Sequence, residues 1–108
     1  MRIVSVSTLR SFWEKPGRKD AEQPLKAWYA EACRATWRSP NEIKAQFKSA
    51  SVVGKNRIVF NISGNKYRLI VAFAYRIQTA YIKFIGTHSE YDRIDAQTVD
   101  QSLGARRV

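Results

Sequence analysis

At Gly54 the hydrophobic pattern of the chain changes period, and this change limits the fold more than any other feature. Beyond it, three stretches read as strands rich in β-branched and aromatic residues: Arg57 to Ile62, Lys66 to Arg76 and Thr79 to Ile85. Ser63-Gly64-Asn65 separates the first two, and its Gly and Asn tolerate the positive φ of a tight hairpin. Ile77-Gln78 separates the second from the third. Connections this short favour an antiparallel meander, because parallel neighbours need a long crossover.

Before Gly54 the spacing is helical. Arg2 to Val6 reads as a short opening strand. Leu9, Phe12 and Trp13 then recur at i, i+3 and i+4, with Ser7 or Thr8 as cap and Pro16-Gly17 as the break. A second helix from Asp20 carries the stripe Leu25, Trp28, Tyr29, Ala32 and Cys33. Ser39-Pro40-Asn41-Glu42 has the form of a capping box, with Pro at the first helical position, and predicts a third helix of about three turns at most. Helices first and strands after indicate an α+β fold, with an N-terminal strand and helices packed on one face of an antiparallel sheet. At 108 residues the chain is one domain, set at 1–100, with 101–108 expected as a flexible tail. Trp28 and Trp37 are better suited to the core and a helix flank than to stacking on bases.

Composition restricts the partners. Lys and Arg number 19 against 9 Asp and Glu, a formal charge of +10. An apolar fraction of 44% with three Trp, five Tyr and five Phe is too high for a disordered basic tail, so the charge sits on a folded surface. A polyanion is the leading partner, with an anionic membrane surface the weaker alternative. One Cys and one His give neither an intramolecular disulfide nor a structural zinc set, and no metal or other cofactor is expected. Polar residues at Ser5, Ser7 and Thr8 leave no signal-peptide run, and the longest apolar-rich stretch, Leu69 to Tyr75, is far below the ~20 residues of a membrane span. A soluble, cytoplasmic protein without membrane partners is the expectation.

Strand parity sorts the charge. Tyr67, Leu69, Val71, Phe73 and Tyr75 share a face, as do Ile58, Phe60 and Ile62 on the preceding strand and Ile82 and Phe84 on the following one. The opposite face then presents Arg57, Asn61, Arg68 and Lys83, with Lys66 and Arg76 at the ends of the middle strand. Such cations serve equally as solvated residues or as contacts for a phosphate backbone. Directly after the last strand, Gly86-Thr87-His88-Ser89-Glu90-Tyr91-Asp92 supplies the only histidine, a tyrosine and carboxylates. If Thr87 caps a turn with Glu90, His88 and Tyr91 fall on one side of it. His and Tyr can move protons while Arg and Lys hold phosphorane charge, which is what metal-independent RNA cleavage by 2′-hydroxyl attack needs. The alternative for a lone histidine is a plain surface role. Glu90, Asp92, Asp95 and Asp100 read as a solvated face rather than a metal cluster.

Val59-Phe60-Asn61, Gly64-Asn65-Lys66-Tyr67-Arg68-Leu69 and Thr87-His88 with Glu90-Tyr91-Asp92 together resemble the HigB family of bacterial toxins, within the RelE/ParE-like superfamily. The Leu25-Lys26-Ala27-Trp28 helix and the Ser39-Pro40 start extend the likeness over nearly the whole chain. The resemblance implies a RelE-like fold and an endoribonuclease, an mRNA interferase acting in the ribosomal A site. Its implied partners are mRNA, the 70S ribosome and a HigA-like helix-turn-helix antitoxin, with operator DNA reached only through the antitoxin. It carries over Arg68 as a phosphate-stabilising cation and His88 and Tyr91 as the proton-transfer or orienting pair. Arg57, Asn61, Lys66, Lys83 and Arg76 are the RNA-binding candidates, added from strand parity and the Val-Phe-Asn match. A gyrase-inhibiting toxin on the same fold, or a basic RNA-binding module, is the alternative function.

Overall fold

The computed structural model describes residues 1–54 and 56–101. The tail set at 101–108 thus lies, beyond Gln101, outside the described residues. The elements run β1 (Arg2–Val4), α1 (Ser7–Trp13), α2 (Glu22–Arg34), α3 (Pro40–Gln46), β2 (Ser51–Val53), β3 (Arg57–Ile62), β4 (Tyr67–Ala74), β5 (Thr79–Thr87) and α4 (His88–Tyr91). They form a five-stranded sheet in the order β1-β5-β4-β3-β2. β2 to β5 are an antiparallel meander, and β1 closes the sheet by pairing parallel to the start of β5, Arg2 opposite Thr79. This is the α+β architecture expected, with one strand, Ser51–Val53, added to the opening strand and the three read after Gly54. Ser51–Val53 is too short for its β-branched pair to be told from the end of a helix. It lies at the sheet edge, with Val52 exposed.

The helices start differently from their sequence signals. Ser7 and Thr8 do not cap α1. Ser5 takes φ +70°, Val6 occupies the cap position, and Thr8 and Leu9 donate their backbone N–H to Ser5 and Val6 carbonyls at 3.0 and 2.9 Å. The capping box at Ser39 does not close either. Ser39 has the extended cap backbone but no side-chain bond, and Glu42 Oε1 accepts from Arg38 N at 3.2 Å instead. α3 is accordingly two turns long. On α2 the buried line is Leu25, Trp28 and Ala32, while Tyr29 and Cys33 face solvent, so the apolar stripe is narrower than the composition indicates.

Beneath α2 and α3 the sheet is packed by aromatic rings. Phe60 on β3 meets Trp28 at 5.4 Å and Phe47 at 5.2 Å, and Trp37 stands edge-on to Phe73 at 5.8 Å. Edge-to-face contacts of this kind add about 0.5–1.5 kcal/mol each beyond the area they bury. Both Trp28 and Trp37 are core residues.

The other face of the sheet is not open. β5 carries a bulge, since Ile70 pairs with Phe84 while Val71 pairs with Ile82, leaving Lys83 as the extra residue. Parity therefore reverses along β5. Ile82 and Ile85 belong to the main core, and Phe84 turns to the second face to join Val59 and Ile70. Tyr91, Ile94, Ala96 and Val99, from the segment after β5, cover this small second core. Arg57 and Lys83 hold that segment down. Arg57 Nη1 donates to the carbonyls of Val99 at 2.7 Å and Ala96 at 3.1 Å, and Lys83 Nζ pairs with Asp100 at 3.0 Å. The Gln101 side chain also bonds the Ile85 backbone, accepting from its N–H at 2.9 Å.

Gly86 permits this packing. A Cβ there would lie 2.5 Å from Phe84 Cζ and 3.0 Å from Glu90 Oε1, and the Phe84 ring is buried. Gly86→Ala is expected to destabilise the fold by about 1–3 kcal/mol, the usual effect of overpacking a core, measurable as a lowered urea midpoint at unchanged slope.

Candidate RNA-cleaving site

The site is built where β5 ends. Thr87 takes the extended cap backbone, its hydroxyl accepts from Glu90 N at 3.2 Å, and Glu90 Oε1 accepts from Thr87 N at 2.8 Å. The capping box expected from Thr87 and Glu90 is present, and it folds His88–Tyr91 into a single turn. His88 is exposed, with Nδ1 3.2 Å from Asp92 Oδ2. Tyr91, three residues on, lies against Phe84 with ring centroids 6.4 Å apart, and the Arg68 guanidinium sits 5.9 Å over the Tyr91 ring.

His88 opens onto a cleft of about 530 Å³ whose other walls come from the α1–α2 connection and the β3–β4 turn, including Gly17, Arg18, Asn65 and Lys66. Asp20 fastens these two walls together. Its carboxylate accepts from the Tyr67 hydroxyl at 2.5 Å and pairs with the Lys66 ammonium. These two bonds, Lys66 first, hold Asp20 below the usual carboxylate range, while burial raises the Tyr67 hydroxyl. A second ion pair, Arg18 Nη2 to Glu90 Oε2 at 3.0 Å, ties the same connection to α4.

The sequence candidates thus fall into groups. Arg68 and Tyr91 meet on the second sheet face, and His88 and Lys66 line the cleft. Arg68 Nη1 donates to Asn65 O at 2.8 Å, within the turn that carries Lys66. Asn61 pairs in register with Arg68, its amide 3.5 Å from Ser49 O. Arg57 and Lys83 are engaged with the covering segment, so the open cationic face expected from parity is replaced by a covered one. Arg76 lies beyond the far end of β4, in a separate cleft with Arg38, Thr36 and Gln78. Sequence reasoning did not find Arg18 or Asp20. The Pro16-Gly17 break marks their loop, and Gly17 takes φ +80°, but nothing local signals partners dozens of residues away. Among the described residues no three His, Cys, Asp or Glu side chains form a metal-binding group, and no helix is long and apolar enough to cross a membrane.

Comparison with known families identifies the class of this strongly basic α+β chain as a RelE-like toxin. Residues 21–94 match HigB_toxin, the RelE-like toxic component of a toxin-antitoxin system, and the chain belongs to this family. It is 28% identical over 94 residues to the mRNA interferase toxin HigB of Escherichia coli strain K12, covering 85% of this chain and 88% of that protein. The mRNA interferase HigB proteins of Escherichia coli O157:H7 and Shigella flexneri match to the same extent.

Glu90 gives the site a pH signature. The Thr87 N–H bond, and next among the stabilising causes the Arg18 charge, hold its carboxyl below the ordinary 4.5 despite partial burial. A carboxylate depressed on folding contributes stability above its unfolded value and loses it as pH falls through the folded one. The stability difference between wild type and Glu90→Gln should therefore be constant near neutrality and shrink below about pH 4.5, as read from urea unfolding across that range.

Proposed function

We propose that this chain is the toxin of a type II pair that cleaves messenger RNA by attack of the 2′-hydroxyl on the adjacent phosphodiester, using protein groups alone. The observation that carries this reading is the placing of His88 on a capped turn that lines a cleft together with Lys66, while Tyr91 of the same turn meets Arg68. The mRNA interferase relatives support it. Two protons must move: one leaves the 2′-hydroxyl and one reaches the departing 5′-oxygen. His88 and Tyr91 are the groups offered for those transfers or for orienting the reacting atoms. The charge that gathers on the phosphorane falls to Arg68, with Lys66 as a neighbouring cation. Asn61, opposite Arg68 in register, is a further candidate contact for the RNA backbone.

The working setting is the cytoplasm, with mRNA presented in the ribosomal A site, where the excess positive charge favours approach to ribosomal RNA. A HigA-like helix-turn-helix antitoxin completes the pair, reaching operator DNA on the toxin's behalf. Arg57 and Lys83 act in this account by holding down the segment that follows Tyr91.

Induction of the chain should arrest growth and generate new mRNA 5′ ends inside coding regions, and co-expression of the antitoxin should restore growth. His88→Ala should slow cleavage by about 10²–10⁴-fold, the range for removing a general acid or base. His88→Ala combined with Arg68→Ala should abolish toxicity while circular dichroism stays native. A folded double variant that still cleaves would remove these residues from the site. Growth arrest with intact transcripts would replace RNA cleavage by inhibition of another target, such as gyrase.

A further inference from the structure

We propose that Arg18 is a positioning residue of this site: acting through Glu90, it fixes the turn that carries His88 and Tyr91. The inference rests on the RNA-cleavage reading but concerns a residue upstream of the family match at 21–94. Both Glu90 carboxylate oxygens are committed. Oε1 closes the capping box on Thr87 N at 2.8 Å, and Oε2 accepts from Arg18 Nη2 at 3.0 Å. Arg18 is itself held on its apolar side, its guanidinium 5.3 Å over the ring of Phe12, a core residue edge-on to Tyr67 at 5.2 Å. Its Nε is buried without a hydrogen-bond partner, so Glu90 and the Phe12 ring are what orient the group.

A continuous path therefore runs from the hydrophobic core through Phe12, Arg18 and Glu90 to the cap of a four-residue turn. Such a turn has too few internal bonds to hold itself. Tyr91 rests the far end of the turn on Phe84, and the guanidinium anchored on the core holds its capped end through Glu90. Small displacements of a proton-transfer group slow a reaction steeply, by up to about 10²-fold per ångström. A defect in Arg18 should then fall on the chemical step and not on RNA affinity.

The test is a double-mutant cycle of Arg18→Gln and Glu90→Gln, with Arg18→Lys as the conservative variant. It is read by single-turnover cleavage of a ribosome-bound message, by equilibrium binding, and by the backbone amide signals of Thr87 to Tyr91. Gln at 90 keeps an oxygen for Thr87 N but cannot pair with the guanidinium. Each single variant should slow cleavage at saturation about tenfold with binding changed by less than about twofold, and the double variant should be no slower than the slower single. Arg18→Lys should recover most of the rate, and the amide signals should move alike in both Gln variants. Weakened binding at an unchanged saturated rate, multiplying effects in the double variant, or unmoved amide signals would overturn the proposal. Absence of cleavage by the wild-type chain would overturn the RNA-cleavage reading instead, and the amide signals would then decide the Arg18–Glu90 coupling alone.

Discussion

β5 leaves the core at Thr87, and there the chain must reverse within a few residues to come back over the second face of the sheet. The reciprocal bonds between Thr87 and Glu90 make that reversal possible by satisfying backbone N–H groups that a strand end and a helix start both leave open. The arrangement of the candidate site follows from it. His88 is delivered to the cleft, Tyr91 is laid on Phe84 under Arg68, and Ile94 and Val99 are brought down to close the small second core. Gly86, one residue earlier, leaves the Phe84 ring the room it needs.

The two faces of the sheet use different means of cohesion. Under the helices, interlocked aromatic rings and aliphatic side chains exclude water over a wide area. On the other face the apolar patch of Val59, Ile70 and Phe84 is small, and the segment over it is secured largely by polar bonds from Arg57, Lys83 and Gln101. A covering of that kind has few buried contacts, which places it toward the low-stability end of the molecule.

The meander, the helix positions and the capping box at Thr87 were legible because each depends on residues close in sequence: alternation along β3 and β4, turn residues at 63–65, and a cap with its glutamate three positions on. What was missed depends on pairing. The bulge at Lys83 arises from the register of β5 on β4, and one extra residue sends Phe84 and Ile85 to faces opposite those that uninterrupted alternation assigns. The second-face cover was illegible for the same reason, since Ile94, Ala96 and Val99 have no strand or helix period. Ser39 and Glu42 mark a helix start correctly, yet the glutamate finds the backbone of Arg38, a choice that local geometry makes and composition does not. At the site, His88, Tyr91 and Arg68 carried their own signals. Arg18 and Asp20 did not, because their partners lie 72 and 46 or 47 residues away.

The cations lining the cleft also bear on what it can bind. Lys66 already has Asp20 as counterion, so an incoming anion exchanges partners there rather than filling a vacancy. For a single small anion that exchange is close to neutral, since partly exposed pairs are worth about 0–1 kcal/mol. A polymer that brings several phosphates along one groove gives up its freedom once for all of its contacts. In the proposed RNA-cleavage reading, Asp20 thereby discounts lone phosphates and free nucleotides against a chain of linked charges.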